Sequence, residues 1–155
     1  MCGIVGYLGN DEAAEIILNG LKRLEYRGYD SAGIATLDED FEVKKDTGEI
    51  EEIDEEINFS SLNGQVGIGH TRWSTHGEVT KANAHPHLCC TGRVAIVHNG
   101  IIENYEELKK DLKGHNFSSE TDSETVAHYF GERLEEGVEP KKIIKSFMED
   151  VKGTF

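Results

Sequence analysis

The residue with the clearest chemical potential is Cys2, which directly follows the initiator methionine. If Met1 is removed, Cys2 carries a thiol and a free α-amine, whose reference pKa values are about 8.5 and about 7.7–8.0. Part of the amine is therefore unprotonated at neutral pH and can take the thiol proton, directly or through a water. This pattern indicates a nucleophile that carries its own base. The alternative is a small buried hydrophobe, which is the ordinary role of a free cysteine.

Asn99 and Gly100 could serve the same chemistry. When a thiolate attacks an amide, the reaction passes through a tetrahedral oxyanion, and each donor aimed at that oxygen lowers the barrier by roughly 2.7–4 kcal/mol. Asn99 offers a side-chain amide and Gly100 an approachable backbone N–H. The alternative is a hairpin turn, because Asn-Gly is the strongest short turn signal.

Two charged residues could bind an α-amino acid at both of its ends. The planar guanidinium of Arg72 suits a carboxylate, and Asp122 could pair with an ammonium. Each residue could equally form an ordinary salt bridge. Thr75 and His76 could add hydrogen bonds to the substrate, and Trp73 could form an apolar wall or belong to the core.

A metal module is a further hypothesis, because His85, His87, Cys89 and Cys90 offer soft ligands within a short stretch. The adjacent cysteines lack the usual two-residue gap, and no second cluster follows them. We therefore expect no metal and no cofactor. Arg27 lies in a separate polar turn and is a candidate supporting residue of the site.

The composition excludes several classes of partner. The chain has 155 residues, which suits one domain, with 37% hydrophobic and 30% charged residues and a formal net charge of −14. An acidic surface argues against nucleic acid or an anionic membrane as a partner. No signal peptide or membrane-length apolar stretch is present in the sequence. Three cysteines, two of them adjacent, do not suggest a disulfide framework, so we expect a cytoplasmic protein.

The elements that position these residues follow from hydrophobic periodicity and caps. Helices are predicted from near Asp11 to Gly28, around residues 50–57, from Asn104 to Gly114, after Thr121, and from Pro140. Capping boxes are predicted for Asn104 with Glu107 and for Thr121 with Glu124. Strands are predicted at 4–8, 31–37, 41–45, 66–71 and 93–98, with another beginning at 153–155. Strands first and helices later indicate an α+β or layered sandwich fold.

Long segments of the chain resemble a known family. The matching segments are CGIVG at 2–6, RLEYRGYDSAG at 23–33, GHTRWSTHG at 69–77, NAHPH at 83–87, VHNGIIENY at 97–105 and SETDSE at 119–124. They are similar to the N-terminal glutaminase domain of the glutamine–fructose-6-phosphate aminotransferases (isomerising), the glucosamine-6-phosphate synthases, which are class II glutamine amidotransferases. The resemblance implies the N-terminal-nucleophile fold, an αββα sandwich of antiparallel sheets between helix layers.

The resemblance also implies the reaction. Cys2 would be the nucleophile with its own amine as base, and Asn99 and Gly100 would form the oxyanion hole. Glutamine would be converted to a γ-glutamyl thioester and ammonia, and the thioester would then be hydrolysed to glutamate. In the whole enzyme the ammonia would pass to a sugar-isomerase domain that converts fructose 6-phosphate to glucosamine 6-phosphate for UDP-N-acetylglucosamine synthesis.

The same resemblance implies roles for the substrate-binding residues. Arg72 would hold the glutamine α-carboxylate with Thr75 and His76 alongside, and Asp122 would hold the α-ammonium. Trp73 would lie at the mouth of an ammonia channel.

The resemblance further predicts that residues 1–155 form a glutaminase domain that is C-terminally incomplete and lacks the sugar-isomerase domains. The full-length enzyme would be a homo-oligomer. The alternative function is a non-catalytic glutamine-binding or interaction fragment that keeps Met1, because the Cys2 nitrogen is then a peptide amide and cannot act as a base.

Overall fold

A computed structural model describes residues 2–73 and 78–155, with Arg27 described by its backbone alone. The chain divides into two compact units, Met1–Pro86 and His87–Phe155. Within the described ranges, no helix combines the length and the apolar character that a membrane crossing requires.

The first unit is built on a four-stranded antiparallel sheet in the order β1-β4-β2-β3. Its strands are β1 (Gly3–Leu8), β2 (Ser31–Leu37), β3 (Phe41–Thr47) and β4 (Val66–Arg72). Strand β4 lies between β1 and β2, and its register places Gly3 opposite Thr71 and Ser31 opposite Arg72. The start of β1, which follows Cys2, and the end of β4, which contains Arg72, therefore lie side by side at one end of the sheet.

Helix α1 (Ala13–Leu24) covers one face of this sheet. Its apolar stripe, predicted from the sequence, is buried and includes Ala13, Ile17 and Leu21. The helix is shorter than predicted, because a 3-10 turn at Glu25–Arg27 follows Leu24 and Gly28 ends that turn. Helix α2 (Ile50–Ile57) follows β3 and contributes Ile50 and Ile53 to the same core.

The second unit contains three helices and two small antiparallel pairs of strands. Strand β5 (His87–Leu88) pairs with β6 (Ala95–Ile96), and β7 (Ile101–Ile102) pairs with β8 (Gly153–Thr154). The predicted strand at 93–98 is therefore too long, since only its two central residues pair. The helices are α3 (Tyr105–Asp111), α4 (Asp122–Glu135) and α5 (Pro140–Asp150).

The core of the second unit lies between these helices. Tyr129 of α4 packs against Phe147 of α5 with ring centroids 5.6 Å apart, and Ile102 and Ile143 are fully buried in the same cluster. Helix α5 begins with Pro140 in its first turn, as predicted.

Of the two predicted capping boxes, the one at Thr121 forms in part and the one at Asn104 does not form. The Thr121 side chain accepts a hydrogen bond from the Glu124 N–H, which confirms the first half of that box. The Glu124 carboxylate instead accepts from Ser118 and Ser119. The box at Asn104 is wrong, because the Asn104 side chain donates to the Asp150 carbonyl and accepts from the Lys152 N–H, two partners that are distant in sequence.

Candidate functional site

Cys2 lies one residue before β1, at the end of the sheet where β4 stops. The backbone N–H of Trp73 donates a hydrogen bond to Sγ of Cys2 over 3.2 Å, and the Trp73 carbonyl lies 3.7 Å from the same sulfur. Cys2 is partly exposed and forms no disulfide. The sulfur is thus accessible and anchored to the backbone directly after Arg72.

The residue after Cys2 fixes the direction of the chain. The N–H of Gly3 donates to Oγ1 of Thr71 over 3.1 Å, and Thr71 is fully buried. A side chain at position 3 would start 2.8 Å from Cβ of Leu24 and 2.9 Å from Thr71 Oγ1. Glycine is therefore required here for β1 to approach α1 and β4 closely.

A turn at residues 28–30 supports the same backbone from the other side. A Cβ at Gly28 would lie 2.7 Å from the Arg72 carbonyl carbon and 2.9 Å from the Trp73 nitrogen. The Asp30 N–H donates to the Arg72 carbonyl over 3.1 Å. The Tyr29 and Trp73 rings meet edge to face with centroids 5.1 Å apart. The segment resembling the family at 23–33 thus packs against the end of β4.

Arg72 is the last residue of β4 and is only 9% exposed. One of its guanidinium nitrogens donates to the Glu78 carbonyl over 3.3 Å, which holds the side chain in place. Trp73 is 42% exposed, so it is not a core residue. Thr75, His76 and the side chain of Arg27 lie outside the described part of the chain.

Asn99 and Gly100 lie in the second unit, between β6 and β7. These two strands belong to different sheets, so the Asn-Gly pair does not close a hairpin and that alternative is wrong. Gly100 has a φ of +153°, and a Cβ there would overlap the Thr154 carbonyl. Glycine is therefore the residue that this backbone accepts. Asn99 is exposed.

Asp122 is the first residue of α4, and its carboxylate binds backbone N–H groups. Oδ2 accepts from the Ile102 N–H over 2.6 Å, and Oδ1 accepts from the Ser123 N–H over 2.9 Å. Ser123 Oγ lies 2.9 Å from Nδ1 of His98, the residue directly before Asn99. Hydrogen bonds through Ser123 and His98 thereby link Asp122 to the backbone next to Asn99. No cation pairs with Asp122 among the described residues.

Glu124 is a buried acid whose carboxylate accepts from Ser118 and Ser119, partners that the predicted capping box did not include. Although burial disfavours its charge, the neighbouring His128 imidazole and the hydrogen bonds from Ser118 and Ser119 together hold the pKa of Glu124 well below its usual range. Its carboxylate accepts four bonds of 2.7 Å from the N–H and hydroxyl groups of the two serines. Glu124 therefore fixes residues 118–119 directly before the helix that carries Asp122.

The predicted metal site made of His85, His87, Cys89 and Cys90 is wrong, because these four side chains contact different partners. His85 stacks on His70 with ring centroids 4.4 Å apart. His87 Nε2 lies 3.0 Å from Oγ1 of Thr121, and Cys89 Sγ bonds the hydroxyl of Thr91. Cys90 alone belongs to a group of ligand-type side chains, with partners that the hypothesis did not include.

Comparison with known proteins defines the class. The model of the glutamine amidotransferase domain family matches residues 51–143, more than half of the chain, and the chain therefore belongs to this family of enzymes. Two solved structures share its fold at 31% identity over 99% of the chain. One is a glutamine phosphoribosylpyrophosphate amidotransferase from B. subtilis, with a TM-score of 0.80 over 33% of its chain. The other is described as the allosteric regulatory enzyme of purine biosynthesis, with a TM-score of 0.82 over 34%. The predicted α+β fold of the N-terminal-nucleophile type is confirmed.

The curated relatives are more specific. The glutamine–fructose-6-phosphate aminotransferase (isomerising) of Methanococcus maripaludis is 55% identical over 88% of this chain and 23% of its own length. The proteins of the same name from Pyrococcus horikoshii and Thermococcus kodakarensis are 56% and 48% identical, over 86% and 100% of this chain. The resemblance seen in the motifs is confirmed. The chain spans about a quarter of the length of these relatives.

Proposed function

We propose that this chain hydrolyses glutamine to glutamate and ammonia through a thioester on Cys2. The observation that supports this most directly is the hydrogen bond from the Trp73 N–H to Cys2 Sγ, in a chain of the glutamine amidotransferase family. Trp73 directly follows Arg72, whose guanidinium suits a substrate carboxylate.

The reaction begins with removal of Met1, which frees the α-amine of Cys2. This amine takes the thiol proton, and Sγ attacks the side-chain amide carbon of glutamine. The tetrahedral intermediate collapses to a thioester as its C–N bond breaks, and the proton returns from the amine to the leaving nitrogen as ammonia departs. Water then attacks the thioester carbon with the amine again as base, which releases glutamate and restores the thiol.

Asn99 and Gly100 are assigned as the hydrogen-bond donors to the oxyanion in this mechanism. The side-chain amide of Asn99 and the backbone N–H of Gly100 are neutral donors, and both can donate to the oxyanion without a change of protonation state. The exposed position of Asn99 and the requirement for glycine at 100 support this assignment.

Arg72 is assigned the glutamine α-carboxylate, because a guanidinium can bind both carboxylate oxygens at once. Asp122 is assigned to bind the α-ammonium, since its Oδ2 accepts the Ile102 N–H and has a second lone pair that can accept from an ammonium. Thr75 and His76 are proposed to assist Arg72, with Arg27 as a supporting residue. Trp73 is proposed to border the exit of ammonia.

The names of the relatives suggest the destination of the ammonia. We infer that residues 1–155 are the glutaminase part of a larger glutamine–fructose-6-phosphate aminotransferase. Its sugar-isomerase domain would use the ammonia to make glucosamine 6-phosphate, and the whole enzyme would be a homo-oligomer. The three free cysteines support a cytoplasmic location.

Covalent labelling tests the nucleophile directly. The purified chain is treated with a glutamine analogue that carries an electrophilic ketone at the side-chain end, and the labelled peptides are identified by mass spectrometry. We expect the label on Cys2 in preference to Cys89 and Cys90, protection by glutamine but not by asparagine, and an N-terminal sequence that starts at Cys2. Equal labelling of the three thiols would contradict the proposal, as would retained Met1 together with the absence of glutamine hydrolysis.

A further inference from the structure

Three ligand-type side chains of the second unit point their reactive atoms at one another. Sγ of Cys90 lies 3.3 Å from Nδ1 of His115, and this nitrogen lies 2.9 Å from Nδ1 of His128. All three atoms lie within 4.8 Å of one another. None of them takes part in the proposed glutamine chemistry, and they come from three separate segments: the β5–β6 turn, the α3–α4 connection and α4.

These separations are close to those of a metal site. In a tetrahedral zinc centre, with Zn–N of about 2.0–2.1 Å and Zn–S of about 2.3 Å, neighbouring ligand atoms are about 3.3–3.6 Å apart. Small side-chain rotations would bring the three atoms to these values. Cys90 is exposed, which gives an ion access from solvent, whereas His128 is fully buried.

The outer partners of the two histidines also fit a metal site. Nε2 of His128 lies 3.6 Å from a Glu124 oxygen, and Nε2 of His115 lies 3.7 Å from a Glu132 oxygen. Carboxylates behind the far nitrogens of histidine ligands favour the tautomer whose Nδ1 is free to bind a metal. Glu124 and Glu132 stand four residues before and after His128 on α4, so one helix supplies both carboxylates and one ligand.

We propose that Cys90 Sγ, His115 Nδ1 and His128 Nδ1 bind a zinc ion. One thiolate and two imidazoles suit zinc, whereas magnesium and calcium prefer oxygen ligands. On binding, Cys90 releases its thiol proton to solvent, and both histidines bind as neutral imidazoles. Three protein ligands leave a fourth position for water. The positive charge of the ion is offset by the thiolate and by the carboxylates of Glu124 and Glu132.

The ion would cross-link the three segments that supply its ligands. Helix α4 begins with Asp122, and Glu124 holds residues 118–119 directly before it. An ion bound to His128 therefore stabilises the helix that carries the proposed ammonium-binding carboxylate. The inference itself does not depend on the glutaminase proposal, because its ligands and its readouts are separate.

Metal titration of the purified chain tests the site. A Cys2→Ala background removes a partly exposed thiol whose adjacent amine could chelate metal. We expect one equivalent of Zn²⁺ to bind in competition with a chromophoric chelator. One equivalent of Co²⁺ should give the absorption of a tetrahedral centre with a thiolate charge-transfer band. Replacing Cys90 by Ser should remove that band, whereas Cys89→Ser should keep it, because Cys89 bonds Thr91 and lies outside the cluster. A band that survives Cys90→Ser, or no stoichiometric binding, would overturn the proposal.

Two further variants separate a metal site from a hydrogen-bonded trio. His115→Ala should weaken Zn²⁺ binding by more than the roughly 10–100-fold that loss of an outer partner causes, and Glu132→Gln should weaken it within that range. Zn²⁺ should raise the Tm of the Cys2→Ala chain but not that of its Cys90→Ser derivative, which stays folded because Cys90 is exposed. Equal Tm shifts in both chains would show that these residues do not hold the ion.

Discussion

Cys2 Sγ accepts a hydrogen bond from the Trp73 N–H across 71 residues of chain. The position of the proposed nucleophile therefore depends on the backbone at the end of β4. That backbone is in turn held by the turn at residues 28–30, through the bond from the Asp30 N–H to the Arg72 carbonyl. Three segments that are distant in sequence thus determine where one sulfur lies.

Gly28→Ala tests this dependence. The added methyl group would lie 2.7 Å from the Arg72 carbonyl carbon, so the backbone at 72–73 must move and the Cys2 sulfur with it. We expect the free energy of unfolding to fall by about 1–3 kcal/mol. Because a 1 Å misplacement can lower a rate by about 10²-fold, kcat/KM for glutamine should fall by more than the stability loss explains. Both are measured by urea unfolding and by glutamate release.

Gly6→Ala is the matched control, because a Cβ at Gly6 of β1 meets nothing within 4 Å. Alanine restricts the unfolded chain more than glycine does, so stability should be unchanged or slightly raised. Equal kcat/KM in the two variants would contradict the proposed role of residue 28.

Thr71→Val tests the second support of Cys2. Valine has nearly the same shape but cannot accept the hydrogen bond from the Gly3 N–H, which would be left buried without a partner. Such a loss lowers the free energy of unfolding by about 1–3 kcal/mol. We also expect slower labelling of Cys2 by the glutamine analogue, since the residue before β1 becomes less fixed.

Thr36→Val controls for the change of residue type within the same sheet. Thr36 is fully buried in β2, and its hydroxyl has no hydrogen-bond partner among the described residues. Replacing an unpaired buried hydroxyl with a methyl group should leave the stability unchanged or raise it. If Thr36→Val destabilised the chain as much as Thr71→Val, the bond to Gly3 would not be the cause.

The sequence predicted the first unit well because its elements follow local periodicity. The stripe containing Ile17 and Leu21 predicted α1, and short strand-type runs bounded by turn residues predicted the four strands of the sheet. The predictions were wrong for side chains whose hydrogen-bond partners are distant in sequence. Asn104 caps α3 by position, but its side chain bonds the Asp150 carbonyl and the Lys152 N–H instead, which no local pattern reveals.

In the candidate site, too, the sequence predicted the residue types but not their tertiary contacts. The types of Cys2, Arg72 and Asp122 indicated chemistry, yet only the structure gives the Trp73 N–H as partner of the sulfur. The cluster around Cys90 could not be predicted from spacing, because His115 lies 25 residues further along the chain and meets Cys90 only through tertiary packing. The four-residue spacing of Glu124, His128 and Glu132 was the signal available for its helical part.

Asn99→Ala tests the assigned oxyanion donor. Loss of one such donor lowers kcat by about 10²–10³-fold, and the substrate KM should change little because the bond forms mainly in the transition state. Since Asn99 is exposed, the free energy of unfolding should stay nearly constant. Steady-state glutamate release and urea unfolding measure the two quantities.

Asn104→Ala provides the contrast, because Asn104 is a structural asparagine in the same unit. It loses two bonds, to the Asp150 carbonyl and from the Lys152 N–H, so stability should fall by about 1–2 kcal/mol while kcat stays near that of the parent chain. A kcat for Asn99→Ala within a factor of a few of the parent would remove Asn99 from the mechanism.

Tyr129 predicts how stability changes at alkaline pH. Burial, together with the hydrogen bond that its hydroxyl donates to Asp150 over 2.6 Å, raises the pKa of Tyr129 to about 12. The pKa of tyrosine in the unfolded chain is about 10. The protonated hydroxyl therefore adds about 2–3 kcal/mol to the free energy of unfolding below pH 10, and this contribution is lost as the pH rises toward 12. Tyr129→Phe lacks this titration. The chain should therefore be more stable than Tyr129→Phe at pH 8, and the difference should shrink between pH 10 and pH 11 in urea unfolding followed by circular dichroism. A difference that stays constant over this range would mean that the Tyr129 proton does not stabilise the second unit.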